Sequence, residues 1–279
     1  MPTNRPISPT RVGILGGGQL ARMTAQAASQ AGIEIFVLER EEGSPAGQVV
    51  GSDHEIVGDW RQETTRRRLA EKVDLVTLEN EFIDPAALDW FVRQGKMVYP
   101  GPAALRTIQD KLNQKEALAA AGLPVPPFRA VESAREIVEA GRDFGWPLVL
   151  KSRRLGYDGH GNVLVSTADG AAAAIDRLAH PSGQRPAMTA SGDLYVEANV
   201  PFVGELAVMV ARGRDGASMV YPVVETIQRD HICHEVVVPA RVPFDLARRA
   251  QQAASAAVAS GTACAVPTTK ARGSAAGTA

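Results

Sequence analysis

The sequence has little cysteine, few aromatic residues and no long apolar run. It contains two cysteines, Cys233 and Cys264, and 5% Phe, Trp and Tyr in 279 residues. Two cysteines exclude a disulfide-stabilised scaffold and are typical of a reducing compartment, so we expect a cytoplasmic location. No stretch approaches the roughly 20 apolar residues that cross a bilayer, and the polar start lacks the apolar core of a secretion signal. The sequence therefore predicts no membrane partner.

Charge of one sign is also lacking. The 30 basic and 31 acidic residues leave a formal net charge of -1. A chain-wide excess of Lys and Arg is the electrostatic signature of nucleic-acid binders, and this sequence does not have it. We therefore expect small molecules, and no nucleic acid, as partners.

The length predicts about two domains. Short apolar strands alternate with helical stretches over residues 11–102, which predicts a Rossmann-like α/β domain with a mostly parallel sheet. Residues 103–259 contain more hairpin-like strands and predict an α+β domain that opens with one helix over 103–121. One later strand is expected over 205–211. Residues 1–10 and 260–279 are predicted to be disordered tails, because neither has apolar periodicity.

A glycine-rich turn follows the first predicted strand. Gly16, Gly18 and Ala21 fit the G-x-G-x-x-A pattern, and the acidic Glu39 ends the second strand. In dinucleotide-binding proteins this turn approaches a pyrophosphate, and the acid binds a ribose. An NAD-dependent oxidoreductase is therefore one alternative for the function.

A second glycine-rich loop follows a predicted strand that carries Lys151. Residues 151–162 read KSRRLGYDGHGN and combine three cations with three glycines. Backbone amides of such a loop can bind phosphate oxygens, and the strand lysine can add its charge. Further along, Glu197 ends one predicted strand and Glu205 opens the next. We expect these two carboxylates to flank a crevice where one accepts ribose hydroxyls.

The order of these motifs resembles that of ATP-grasp enzymes. DKLNQK around Lys111, the strand Lys151, the GYDGHGN loop and VEANVPFVGELAV carry the resemblance. More closely, the chain resembles the 5-(carboxyamino)imidazole ribonucleotide synthase family, through GGGQLARM at 16–23 and a T-x-E-x-E segment beginning at Thr77. The family has Gln where this chain has Asn162.

The resemblance implies a Rossmann-like pre-ATP-grasp domain followed by an α+β ATP-grasp domain. The implied reaction joins bicarbonate to the amine of 5-aminoimidazole ribonucleotide, through carboxyphosphate formed from ATP, in purine biosynthesis. ATP and Mg²⁺ are the implied cofactors, and a homodimer is the implied assembly. Related ATP-grasp ligases with another acceptor are an alternative that the GGGQLARM and GYDG pairing disfavours.

Site residues follow from the same resemblance. The implied catalytic residues are Lys151, Tyr157 and Asp158. The implied ATP-binding residues are Lys111, Lys151, Gly156, Tyr157, Asp158, Gly159, His160, Gly161, Asn162, Glu197, Ala198, Asn199, Val200, Glu205 and Gln228. The implied substrate-side residues are Gly18, Gln19, Glu79 and Glu81.

The sequence departs from the family after Leu246, beyond which it has no Asp or Glu. The family continues there with a glutamate-bearing strand and an Asn-Glu pair, whose carboxylates hold Mg²⁺. We therefore assign no metal ligand in this chain. We expect a C-terminally truncated product whose residues 260–279 are out of frame. An inactive, nucleotide-binding remnant is then the non-enzymatic alternative.

Overall fold

The computed structural model describes residues 11–154, 161–179, 193–213, 215–229, 232–260 and 269–271. The chain divides into two compact units, Met1–Arg106 and Thr107–Ala279, here the N-terminal and C-terminal units. Within the described ranges, no helix is long and apolar enough to cross a membrane.

The N-terminal unit is fully described from residue 11 onward. Its strands are β1 (Arg11–Leu15), β2 (Glu34–Glu39), β3 (Glu55–Val57), β4 (Leu75–Leu78) and β5 (Met97–Val98). Its helices are α1 (Gln19–Gln30), α2 (Gly47–Val50), α3 (Glu63–Ala70) and α4 (Pro85–Arg93), and α5 (Pro102–Gln109) crosses the boundary between the units.

The five strands form one parallel sheet in the order β3-β2-β1-β4-β5. Helices cover a sheet of this kind on both faces, so its central strands are continuous apolar runs. Ile14 and Leu15 of β1 and Val37 and Leu38 of β2 are accordingly buried. The expectation of a Rossmann-like first domain is confirmed.

The C-terminal unit combines helices with antiparallel strands. Its helices are α6 (Lys111–Ala120), α7 (Ala134–Phe144), α8 (Ala171–Ala179) and α9 (Phe244–Ala259). Its strands are β6 (Phe128–Val131), β7 (Leu148–Ser152), β8 (Asn162–Val165), β9 (Leu194–Ala198), β10 (Gly204–Ala207), β11 (Val210–Arg212), β12 (Ser218–Val220), β13 (Val224–Arg229), β14 (Ile232–Val237) and β15 (Thr269–Ala271). The described strands form sheets ordered β6-β9-β7-β8, β14-β13-β10-β15 and β11-β12. The predicted α+β class is confirmed.

Three predicted elements are wrong. The helix over 103–121 is broken at Asp110, whose extended backbone and side-chain cap start a new helix. The strand over 205–211 is two strands in separate sheets. Residues 269–271, predicted to be disordered, pair with β10 in an antiparallel register. The rest of that C-terminal segment beyond Ser260 lies outside the described residues.

Helices α7 and α8 cover one face of the β6-β9-β7-β8 sheet. Leu148, Leu150 and Val196 alternate along β7 and β9 and are fully buried in that core. Ser133 is the N-cap of α7, and its Oγ accepts a hydrogen bond from the Glu136 amide. The other face of the sheet carries Lys151 and Glu197, because side chains alternate between faces along a strand.

We predict that Gly141→Ala destabilises the C-terminal unit. A methyl group at this buried position of α7 would lie 2.2 Å from the Trp146 ring. Overpacking of this kind costs about 1–3 kcal/mol, which exceeds the ~1 kcal/mol that Ala gains over Gly in a helix. Thermal unfolding measures the effect. Gly170→Ala is the control, because its methyl group would meet Val165 at an ordinary 3.7 Å. Equal midpoints for the two variants would refute the prediction.

Candidate functional site

A buried glutamate in the C-terminal unit lies between two lysines. Glu197 is 5% exposed, and its Oε1 lies 2.6 Å from Nζ of Lys151. Its second oxygen, Oε2, forms an ion pair with Lys115. The two ammonium groups and one carboxylate leave an excess positive charge at this place in the sheet.

The lysines decide the protonation state of Glu197. Burial alone would raise the pKa of this carboxyl group. The charges of Lys151 and Lys115 outweigh burial, so the pKa of Glu197 is lowered. On the same strand, burial and the Glu197 charge raise the pKa of Tyr195 far above its ordinary value. The site thus holds an ionised carboxylate beside a neutral phenol.

Strand pairing brings Lys151 and Glu197 together. In the antiparallel register of β7 and β9, Val149 lies opposite Glu197 and Lys151 lies opposite Tyr195. Lys151 is therefore the diagonal neighbour of Glu197 on the same face, within reach of a long side chain. This placement is consistent with the sequence prediction that Lys151 and Glu197 share one site.

Lys115 is the residue that sequence reasoning missed. It lies on α6, four positions after Lys111, so the two side chains leave the helix on the same face. That i, i+4 spacing within DKLNQK was the available signal. Lys111 itself is the first residue of α6, and its backbone amide donates to the Arg153 carbonyl at 2.8 Å.

Part of the predicted glycine loop lies outside the described residues. This holds for Gly156, Tyr157, Asp158, Gly159 and His160. The loop leaves β7 after Ser152 and returns at Gly161, whose carbonyl accepts the Ser152 amide at 2.9 Å. Asn162 opens β8 opposite Lys151, and its side-chain oxygen is buried with no hydrogen-bond partner in the described part of the chain. The loop ends are thus pinned beside Lys151.

The segment after Glu197 is fixed through its backbone. The Ala198 amide donates to the Pro127 carbonyl at 2.9 Å, and the Asn199 amide donates to the Pro147 carbonyl at 3.2 Å. These two donors are used within the protein and hold the strand end in place. Val200 follows directly, at the end of the predicted base-binding segment.

Glu205 and Gln228 lie on a different sheet from Glu197. Glu205 of β10 pairs with Thr226 of β13, and Gln228 lies further along β13, after a register irregularity between Ile227 and Gln228. The hydroxyl of Thr226 is buried and has no hydrogen-bond partner among the described residues. The expectation that Glu197 and Glu205 flank a crevice stays a prediction, with the two carboxylates carried by different sheets.

The glycine turn of the N-terminal unit is occupied by the chain's own acids. The Gly18 amide donates to Oε2 of Glu79 at 2.8 Å, and the Leu20 amide donates to Oε1 at 3.2 Å. The Gly17 amide donates to Oε2 of Glu39 at 2.8 Å. A Cβ atom at Gly18 would lie 2.3 Å from Oε1 of Glu79, so this carboxylate requires the glycine.

This arrangement bears on the dinucleotide alternative. An NAD site would use the amides at the start of α1 and the acid Glu39 at the end of β2. In this chain, the Gly17 amide donates to Glu39 and the Gly18 amide donates to Glu79. A pyrophosphate would have to displace a carboxylate from that helix N-terminus. Gln19 is the first residue of α1 beside this contact, and the exposed Glu81 lies two residues after Glu79.

A magnesium site does not fit the residues that the structure describes. Among them, no group of three or more His, Cys, Asp or Glu side chains is placed to hold a metal ion. The lysine–glutamate cluster has one carboxylate, and both of its oxygens contact ammonium groups.

Comparison with known proteins identifies the family. Residues 116–266 match the ATP-grasp domain, and residues 10–109 match the ribonucleotide synthetase preATP-grasp domain. The chain therefore belongs to the ATP-grasp family. Within that family, it is similar to N5-carboxyaminoimidazole ribonucleotide synthases, as the following relatives show, and the resemblance found in the sequence is confirmed.

The chain is 42% identical to phosphoribosylaminoimidazole carboxylase of Schizosaccharomyces pombe, over 88% of this chain and 42% of that protein. It is 38% identical to N5-carboxyaminoimidazole ribonucleotide synthase of Synechococcus elongatus, over 85% of this chain and 57% of that protein. A structure of N5-carboxyaminoimidazole synthase from Aspergillus clavatus with ADP and 5-aminoimidazole ribonucleotide matches with a TM-score of 0.78 and 37% identity. That match covers 90% of this chain and 62% of the Aspergillus chain. The chain thus spans about half the length of these curated relatives.

We predict that Glu197→Gln destabilises the C-terminal unit in a pH-dependent way. The substitution removes the carboxylate that contacts the Lys151 and Lys115 ammonium groups, and breaking a buried ion pair in this way costs about 3 kcal/mol. Because the folded-state pKa of Glu197 is lowered, its contribution is fully present above the unfolded value of about 4.3. The contribution is lost as pH falls through the lower folded value. The difference in unfolding free energy between the wild type and Glu197→Gln should therefore become smaller below pH ~4.

Unfolding midpoints from pH 7 down to pH 3 measure this difference. Glu139→Gln is the matched control, because Glu139 forms an exposed pair with Arg135. Such a pair contributes about 0–1 kcal/mol, so the control should follow the wild type. A difference in unfolding midpoint between the wild type and Glu197→Gln that stays constant from pH 7 to pH 3 would contradict the lowered pKa of Glu197.

Proposed function

We propose that this chain takes part in the ATP-dependent carboxylation of 5-aminoimidazole ribonucleotide with bicarbonate. The observation that carries the proposal is the Lys115–Glu197–Lys151 cluster in a chain of the ATP-grasp family. The similar Aspergillus protein holds ADP and 5-aminoimidazole ribonucleotide, which are a product and a substrate of such a reaction. The product would be 5-(carboxyamino)imidazole ribonucleotide, an intermediate of purine biosynthesis.

The chemistry has two steps. A bicarbonate oxygen attacks the γ-phosphorus of ATP, the bond to the β-γ bridging oxygen breaks, and ADP leaves with carboxyphosphate formed. The ribonucleotide amine then forms a bond to the carboxyl carbon, releases phosphate and loses a proton. Neither step requires a covalent bond to the protein, so the protein contributes charge, position and exclusion of water.

The residues of the C-terminal unit supply that charge and position. Lys151, Lys115 and Lys111 are the proposed phosphate-binding cations. Residues 156–162 are the proposed cover over the phosphates, with Tyr157 and Asp158 near the ribonucleotide. Glu205 and Gln228 are proposed contacts to the nucleoside, and residues 197–200 are the proposed base-binding segment.

In the N-terminal unit, we propose that the ribonucleotide lies near Gly18, Gln19, Glu79 and Glu81. Magnesium chemistry would neutralise the phosphate charge in such a reaction. Because the described residues offer no metal-ligand cluster, we assign it to none of them. Bicarbonate as the carbon source, the homodimer and the cytoplasmic location stay predictions.

The test is ADP release by the purified chain with ATP, Mg²⁺ and bicarbonate, with and without 5-aminoimidazole ribonucleotide. We expect the ribonucleotide to stimulate release. Lys151→Met should lower the stimulated rate about 100-fold, because it removes a cation aimed at the transferred phosphoryl group. Arg135→Met should leave the rate unchanged, since Arg135 is 88% exposed on α7 and pairs with Glu139.

The alternatives give distinct results. ATP binding without stimulated ADP release would mean a nucleotide-binding chain that turns nothing over. Stimulation by a different amine or carboxylate acceptor would mean a related ATP-grasp ligase. Quenching of NADH fluorescence on binding would support the oxidoreductase alternative, which the contacts of Glu39 and Glu79 disfavour.

A further inference from the structure

An ion pair with a buried carboxylate, Asp110–Arg153, lies in the C-terminal unit and is separate from the lysine–glutamate cluster. Asp110 is 1% exposed and precedes α6. Arg153 donates to its carboxylate through two nitrogens, with Nη2 at 2.6 Å from Oδ2 and Nε at 3.0 Å from Oδ1. This fork-shaped contact fixes both the distance and the angle between the two side chains.

Asp110 also starts the helix. Its Oδ1 accepts the amides of Leu112 at 3.0 Å and Asn113 at 3.2 Å, which makes Asp110 the N-cap of α6. Burial alone would raise the pKa of Asp110, but Arg153 and these amides hold it below its ordinary value. One carboxylate therefore both begins α6 and binds a residue of another segment.

Arg153 holds the same helix end through its backbone and its side chain. Its carbonyl accepts the Lys111 amide at 2.8 Å, and Nη2 donates to Oδ1 of Asn113 at 3.3 Å. Its own amide donates to the Asp193 carbonyl at 2.8 Å, just before β9. Arg153 thus joins the end of β7, the start of β9 and the start of α6.

The contacts of Asp110 and Arg153 involve the same three elements, α6, β7 and β9, as the lysine contacts. Helix α6 carries Lys115, β7 carries Lys151, and both lysines reach Glu197 on β9. Any shift of the α6 N-terminus against β7 would change the separation of the two ammonium groups. The Asp110–Arg153 contact therefore connects the start of the helix that carries Lys115 with the end of the strand that carries Lys151.

We propose that Asp110 and Arg153 are positioning residues that set the spacing of Lys115 and Lys151. The ligand that this spacing suits is the polyphosphate of a nucleoside triphosphate, and this part rests on the proposed function. Neither residue needs to touch the nucleotide, because both act through the helix and strand that carry the lysines.

Three substitutions separate this role from simple support of the fold: Asp110→Asn, Arg153→Lys and Arg153→Met, of which the last removes both the charge and the hydrogen bonds of the guanidinium group. Asp110→Asn keeps a side-chain oxygen for the helix cap, since Asn caps as well as Asp, but loses the charge. Arg153→Lys keeps the charge but loses the contact that two guanidinium nitrogens make with the Asp110 carboxylate. Asp143→Asn is the matched control, because Asp143 pairs with Arg129 at 2.6 Å on the surface of the same unit.

The readout is the rate of reductive methylation of each lysine, followed by mass spectrometry, with Lys96 of the N-terminal unit as internal reference. We expect Asp110→Asn and Arg153→Met to raise the rates at Lys115 and Lys151 several-fold. Arg153→Lys should fall between wild type and Arg153→Met. Asp143→Asn should match the wild type.

Unchanged rates at Lys115 and Lys151 in a folded variant would overturn the proposal. A purely structural role would lower the unfolding midpoint while leaving these rates, relative to Lys96, as in the wild type. If Asp110→Asn does not fold, Arg153→Lys is compared with Arg153→Met. Equal methylation rates at Lys115 and Lys151 in these two variants would also overturn the proposal.

Titration with a fluorescent ATP analogue separates this inference from the proposed function. We expect the dissociation constant to rise about tenfold in Asp110→Asn, which corresponds to 1.4 kcal/mol. Binding as tight as in the wild type would count against the positioning of a phosphate site. If the wild type binds no analogue, the proposed function fails, while the methylation rates still decide whether the pair positions the lysines.

Discussion

The ionised Glu197 between two lysines is the contact on which the C-terminal unit is organised. A carboxylate this deeply buried is costly unless cations are held close to it, and the sheet and α6 supply one cation each. The paired strands β7 and β9, the start of α6 and the ends of the glycine loop are all arranged around this requirement. The same excess of positive charge makes the place suited to a phosphate chain.

Much of the fold follows from local patterns in the sequence. The apolar runs of β1 and β2 predict a buried parallel sheet because both faces of those strands are covered. The break at Asp110 could not be predicted in this way, because helical residues continue on both sides of it. Asp110 is extended as the N-cap of α6, and its carboxylate also binds Arg153, 43 residues away, a partner that no local pattern contains.

The candidate site was predictable to a similar degree. Motif order pointed to Lys151 and Glu197, which the register then places as diagonal neighbours. The spacing within DKLNQK places Lys115 on the same face of α6 as Lys111, but its contact with Glu197 depends on how α6 packs against β9, which no motif contains. Motifs also could not show that Glu205 lies on a different sheet from Glu197 and pairs there with Thr226. The chain leaves one sheet after Glu197 and enters the next at β10.

The glycine turn after β1 has a consequence for how such turns are recognised. Gly18 is needed because the Glu79 carboxylate comes closer than any side chain would permit. An anion carried by the chain therefore imposes the same glycine spacing as a diphosphate carried by a ligand. In this chain, the residue that accounts for the glycine turn is Glu79, the acid directly after the fourth strand, which the glycine pattern alone does not include.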